Sequence, residues 1–328
     1  MRKLIIDADT GSDDAVALIL AYRNLEKNQI LGVSVVSGNV PLQQAALNTR
    51  YVNELCEINI PIYKGESKPL TREYKEVFTS SQANQIALSY KNLSTSAQHV
   101  HGIDGLGDIG LIPEEKKFEN ETAQEFYTKA LTENESIDLV TLGPLTNIAL
   151  MLENNPKLLH KIKHCYIMGG SSNALGNVTK FAEYNFWVDP EAADKVLNSG
   201  IPITMIGWDP SLYDAMIDNR KIVEIEKLNT KYSKFTNDIQ VVLRQMMKEI
   251  FGEDSYDLPD PLAMAVYLDQ TIISQAIEVN VRVDTRDGMT RGGCILDFLN
   301  LEPNSHKIRV VQRCHQEKFF DLLKKSLS

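Results

Sequence analysis

Short apolar runs and longer amphipathic stretches take turns along this chain, and that alternation narrows the possible folds more than any other feature. "ILGVSVVSG" precedes "PLQQAALNTRYVNELC", "IDLVTLG" precedes "PLTNIALMLENN", and "KHCYIMGG" is followed by "DPEAADKVLNSG" and "IPITMIG". Strands that are apolar on both faces need helices above and below them, so the pattern predicts βαβ units around an open, mainly parallel α/β sheet flanked by helices. "AIEVNVRVDTRDG" and "HKIRVVQRC" read as late strands, residues 222–251 as helical, and a helix follows the last strand. No repeat, low-complexity tract or linker divides the 328 residues, so a single domain over 1–328 is expected. Its more polar, Gly-dense stretch over about 64–121 reads as a loop-rich region above the sheet.

The first of these units carries the least ordinary chemistry. In "KLIIDADTGSDDAVALIL", Asp7, Asp9, Asp13 and Asp14 fall within eight positions. Leu4 to Ile6 suit a buried strand, Thr10 to Ser12 supply turn and N-cap chemistry, and the residues from Ala15 onward suit a helix. The acids are therefore expected to meet at the carboxyl end of a parallel strand, where open sheets bind ligands. Two carboxylates about 4 Å apart repel by roughly 4 kcal/mol at an intermediate dielectric, whereas a helix N-terminus offers only about half a positive charge. A hard divalent cation balances such a set, because carboxylate oxygens are its preferred ligands. The plainer alternative is an acidic surface turn with one capping Asp.

Composition removes several classes of partner. Hydrophobic residues make up 43% and charged residues 24%, as in ordinary globular material, and a net charge of −10 argues against a nucleic acid or an anionic membrane. A small-molecule partner fits better. Cys56, Cys165, Cys294 and Cys314 form no CxxC pair, so neither a zinc ribbon nor a redox motif is indicated. "MRK" is followed by only three apolar residues before Asp7, too few for a signal-peptide core, and no run reaches membrane-spanning length, so a cytoplasmic protein is expected.

Other motifs stand at predicted strand ends. "VVSGNV" places Gly38 and Asn39 there, and "LVTLGPLTNIA" places Leu142, Gly143 and Pro144, with a Leu142 carbonyl able to face a cation. "MGGSSNALGNVTKFAEYNFWVDPEAA" gathers Met168, Asn173, Asn177, Glu183, Asn185 and Trp187, a set suited to a hydroxyl-rich ligand or to an ordinary polar loop. Asp260 in "DLPDPLAMAVYLD" precedes Pro261 at the start of an apolar helix, where capping is the commoner role. His101, in the Gly-dense "HVHGIDGLGDIG", is the best functional candidate among the histidines, against the reading of an exposed loop residue.

Together these stretches resemble the nucleoside hydrolases, the inosine-uridine-preferring family that cleaves the N-glycosidic bond of ribonucleosides to ribose and free base. The resemblance runs from Lys3 to at least Asp297 and is most specific in "DADTGSDDAVAL", "GPLTNIA", "MGG" and "AEYNFWVDPEAA". It implies a Rossmann-like open sheet, a tightly bound Ca2+ and a homodimer or homotetramer. Position by position, it implies that Asp9, Asp14, the Leu142 carbonyl and Asp260 are metal ligands. Asp9 is also the base for the attacking water, Asp13 binds the ribose 2′-hydroxyl, and Asp7 supports this shell. Asn39, Asn177, Glu183 and Asn185 hold ribose hydroxyls, and Met168 packs near the sugar. Within that reading a cation offsets the acids, and the transition state is oxocarbenium-like.

One departure matters. Many members carry a histidine immediately before the late aspartate, where it protonates the leaving base, and this chain has Pro259. His101 is the substitute candidate, with stacking on Trp187 or a tyrosine as the alternative. Two rival readings exist. "LIIDADT" also fits the Asp-x-Asp-x-Thr signature of haloacid-dehalogenase-type phosphatases, with Asp7 as nucleophile and Asp9 as acid/base; the other rival is a calcium-dependent nucleoside-binding protein without catalysis.

Overall fold

The computed structural model describes residues 2–70, 97–115, 117–173 and 176–328. In chain order its strands are β1 (Lys3–Ala8), β2 (Ile30–Val35), β3 (Ile62–Lys64), β4 (Ile137–Thr141), β5 (Ile162–Met168), β6 (Ile203–Ile206), β7 (Met216–Ile217), β8 (Tyr256–Asp257), β9 (Ile273–Val279), β10 (Val281–Val283), β11 (Cys294–Leu296) and β12 (Ile308–Cys314). Eight of them form one sheet in the order β3-β2-β1-β4-β5-β6-β12-β9. Every neighbouring pair is parallel except β12 and β9, which run antiparallel at one edge.

The two-residue side-chain period of β1 divides its apolar residues between two cores. Leu4, Ile6 and Ala8 pack with the helices Ser12–Asn24, Leu42–Leu55, Pro259–Leu268 and Gln316–Leu327 on one face, and Ile5 packs with Ala123–Glu133, Thr146–Asn154 and Pro190–Leu197 on the other. Both faces are covered, which is why β1, β2 and β4 to β6 are almost continuously apolar. Strand order reverses beside β1: β2 and β3 extend one way and β4 starts the other, leaving a crevice outside the carboxyl ends of β1 and β4.

Local details differ from the sequence reading in two places. Residues 222–251 form parts of three helices, Asn219–Leu228, Lys231–Asp238 and Val241–Phe251, because Asp218 and Thr230 cap new starts and Asn229 takes a left-handed φ of 53°. The apolar helix near the end opens at Pro259 and not at Pro261, so Asp260 lies inside its first turn and does not cap it. Of residues 64–121, those from 71 to 96 and residue 116 lie outside the described residues, and the remainder holds only the end of β3 and the short helix Gln98–His101. Among the described residues no helix is long and apolar enough to cross a membrane.

Candidate active site

Two helix N-termini meet over the crevice. Helix Ser12–Asn24 packs along Pro259–Leu268, so Asp13 and Asp14 in the first turn of one face Asp260 in the first turn of the other. These three acids each offer an oxygen within 4.8 Å of the others. The three carboxyls are close enough that each raises the cost of ionising the others.

Asp9 completes the acid side from the end of β1. Its Oδ2 accepts the Asn39 backbone N–H at 2.6 Å, while its Oδ1 is buried with no hydrogen-bond partner. Room for the carboxylate comes from two glycines that the sequence places at strand ends: a Cβ at Gly38 or Gly143 would sit 2.0 Å or 2.6 Å from an Asp9 oxygen. Asp14 Oδ1 accepts the Asp9 N–H at 3.2 Å, and its Oδ2 accepts Gly11 N–H at 2.9 Å and Asn39 Nδ2 at 3.1 Å. Asp13 Oδ1 is a second unpartnered oxygen.

Burial pushes all of these carboxyls up, the neighbouring acids adding to it. Asp14 reaches about 6 and Asp13 about 7, while Asp9 and Asp260 rise well above the ordinary range. Unpartnered buried oxygens, four convergent acids and suppressed ionisation together fit a hard divalent cation, which would take up the free lone pairs and keep the acids charged.

Asp7 stands apart from this set. Its Oδ2 is occupied by Ser34 Oγ at 2.6 Å, Tyr127 Oη at 2.8 Å and Asn147 Nδ2 at 2.8 Å, and the residue is 1% exposed. Its Oδ1 is buried as well, with no hydrogen-bond partner, and a carboxylate enclosed in this way is out of reach as a phosphatase nucleophile.

The sugar-side candidates are brought together with one exception. Asn185 Nδ2 bridges the Leu142 carbonyl (2.7 Å) and Met168 Sδ (3.3 Å), tying the β4 end to the β5 end. Glu183 is 2% exposed, caps the helix Tyr184–Val188, and accepts N–H groups of Asn185 (2.9 Å), Gly170 (2.7 Å) and Phe186 (3.4 Å); burial pushes its pKa to about 7. Asn39 is buried between Asp9 and Asp14. Asn177 is exposed on the loop after β5, and none of these hydrogen bonds reaches it. Trp187 lies partly buried beside Tyr184, with ring centroids 6.4 Å apart.

His101 is neither exposed nor on a free loop. It ends the helix Gln98–His101, is 7% exposed, and lies 3.7 Å from Asp13 Oδ1. Burial pushes its pKa down to about 4, so the ring is neutral at pH 7.

Three residues on this side escaped the sequence reading. Asp257, on β8, accepts Trp208 Nε1 at 3.0 Å and Ser211 Oγ at 3.1 Å, and its carboxylate adds to the upward shift of Asp13. Gln240 is buried against Ser12. Only the position of Asp257, three residues before Asp260, hinted at the first; nothing local marks Trp208 or Gln240.

Residues 4–321 match the family described as inosine-uridine preferring nucleoside hydrolase. The chain belongs to the nucleoside hydrolase family. It is 35% identical to a pyrimidine-specific ribonucleoside hydrolase, RihA, of Photobacterium profundum over 100% of this chain and 99% of that one. It is 33% identical to uridine nucleosidase 1 of Arabidopsis thaliana over 90% of this chain and 82% of the relative. Among solved structures, a plant nucleoside hydrolase superposes with a TM-score of 0.86 at 26% identity, covering 99% and 98% of the two chains. A purine-preferring ribonucleoside hydrolase from Gardnerella vaginalis gives 0.84 at 29% identity over 99% and 98%. Membership of the family removes the phosphatase reading, in agreement with the sealed Asp7.

Proposed function

We propose that this chain hydrolyses the N-glycosidic bond of ribonucleosides to ribose and free base, using a calcium ion held by Asp9, Asp14, Asp260 and the Leu142 carbonyl. The observation that carries the reading is the unpartnered, buried Asp9 Oδ1 at the floor of a crevice lined by Asp13, Asp14 and Asp260. A bound cation supplies positive charge that keeps the acids ionised, engages sugar hydroxyls and lowers the pKa of water for attack.

The chain's own groups then divide the work. Asp9 Oδ1 takes the proton of the attacking water, because its other oxygen is fixed by Asn39 and it has no competing donor. Asp13, through its own unpartnered Oδ1, accepts the ribose 2′-hydroxyl. Asn39, Glu183 and Asn185 hold further hydroxyls, Met168 packs against the sugar, and the exposed Asn177 closes onto it from the loop. The carboxylates around C1′ stabilise an oxocarbenium-like transition state. His101 faces the departing base as a neutral N–H donor. The unpaired cysteines agree with a reducing, cytoplasmic setting, and one domain assembling into a homodimer or homotetramer completes the proposal.

The test is release of ribose from a panel of purine and pyrimidine ribonucleosides by the metal-loaded protein. Ribose and base in equal amounts, with water as the only co-substrate, are expected. Nucleosides bound but left intact would turn the reading to a binding protein, which Pro259 at the leaving-group position otherwise favours.

A further inference from the structure

The leaving-group side holds an arrangement of hydrogen bonds that the acid cluster does not use. His101 Nδ1 lies 2.8 Å from Ser12 Oγ and 3.3 Å from the Ser12 backbone nitrogen. A backbone N–H can only donate, so Nδ1 accepts, and in a neutral imidazole the ring proton is then on Nε2. The Ser12 hydroxyl must also donate to Nδ1, which uses its single proton.

On its other side Ser12 Oγ is 3.1 Å from the side-chain amide of Gln240, which is 0% exposed. With the Gln240 carbonyl turned toward Ser12, one hydroxyl proton would face two acceptors and Gln240 Nε2 would be buried without a partner. With the amide turned over, Nε2 donates to Ser12 Oγ, Ser12 donates to His101 Nδ1, and the whole series runs in one direction. Asp13 Oδ1 favours a proton on Nδ1, but at 3.7 Å it lies beyond hydrogen-bond reach. Among the described residues His101 Nε2 has no hydrogen-bond partner, and it is not one of the polar atoms sealed from solvent.

We propose that Gln240 and Ser12 are positioning residues that hold His101 as its Nε2–H tautomer, so that the ring presents a fixed hydrogen-bond donor to the leaving base. Only the identity of the acceptor rests on the hydrolase reading. A neutral ring in this tautomer gives a hydrogen bond and no net proton: the base departs as an anion, stabilised by Nε2–H, and takes its proton from water after the C1′–N bond has broken. Purines and pyrimidines both carry the ring nitrogens or carbonyl oxygens that accept such a bond. Pro259, which has no donor, leaves this ring as the group for the task.

Nitrogen-15 NMR of the imidazole reads the tautomer directly, with the His101 signals assigned by their loss in His101→Gln. In the wild type at neutral pH we expect a protonated Nε2 and an unprotonated, hydrogen-bonded Nδ1. In Gln240→Leu, or in Gln240→Met should the leucine variant fold poorly, both nitrogens shift toward values averaged over two tautomers. In the same variant kcat on natural nucleosides falls about fivefold, the factor of one ordinary hydrogen bond, and p-nitrophenyl riboside falls less. A wild-type ring protonated on Nδ1, or a Gln240 variant with unchanged ring shifts, overturns the proposal. A wild type with the expected tautomer that releases no ribose leaves the relay standing and removes the hydrolase reading instead.

Discussion

The two sides of the crevice are built by opposite means. On the sugar side, acids from one short strand–turn–helix unit are pushed together until burial and mutual repulsion resist their ionisation, and Asp9 and Asp13 keep lone pairs unspent. On the leaving-group side, residues from distant parts of the chain hydrogen-bond to one another: Ser12 with His101 and Gln240, Trp208 and Ser211 with Asp257. On the proposed reading the first side takes up a cation and a proton, and the second presents a fixed donor.

If that contrast is right, substitutions on the two sides fail in different ways. Asp14→Asn removes a carboxylate from the set shared with Asp13 and Asp260 and should lose the cation, with kcat/KM down by about 10³-fold or more. Metal analysis of the purified variant beside ribose assays checks both; a full equivalent of metal in this variant would move Asp14 out of the ligand set. His101→Ala, across the crevice, should keep the metal and slow natural nucleosides by about 10- to 100-fold, the range of a hydrogen bond to a charged group, while p-nitrophenyl riboside is slowed less. Equal losses on both substrates would assign His101 to substrate binding or to local structure.

The smallest expected effect is on stability. Asp13 and Asp14 are raised to about 7 and about 6 in the folded chain, above their unfolded values, so their protonated forms stabilise the fold. That contribution is full below the ordinary carboxylate range and is lost as pH rises through about 6 to 7. Chelator-treated protein should therefore show a Tm that falls over this interval, and added calcium should restore it by binding the ionised set. A Tm that rises over the interval without metal would contradict the repulsive acid side.

The same contrast explains what could be read from sequence. Asp9, Asp13 and Asp14 lie within six residues, and secondary structure alone carries them to one end of a strand, so the acid side was legible. So were β1, β2, β4, β5, β6 and β12, because strands covered on both faces carry runs of apolar residues bounded by turns. Asp260 was placed through the resemblance, and its position inside a first turn became visible only when its helix was seen to start at Pro259. Gln240 and Trp208 carry no local signal: their roles come from contacts across 228 and 49 residues of sequence, set by helix packing. Gly38 and Gly143 were read only as strand ends, whereas each is needed because a Cβ would overlap the Asp9 carboxylate.

Asp9 is where the account is most exposed. Its free Oδ1 is assigned the proton of the attacking water, and Asp14, Asp260 and the Leu142 carbonyl remain to hold the metal when it is gone. Asp9→Ala should be assayed for ribose release from the best wild-type nucleoside, with metal content and nucleoside affinity measured on the same sample. The prediction is a protein that keeps metal and binds nucleoside within about tenfold of wild type, with ribose release reduced by about 10²- to 10⁴-fold. Ribose release near the wild-type rate from that sample would contradict the assignment of Asp9 as the base and, with it, the acid side as the centre of the chemistry.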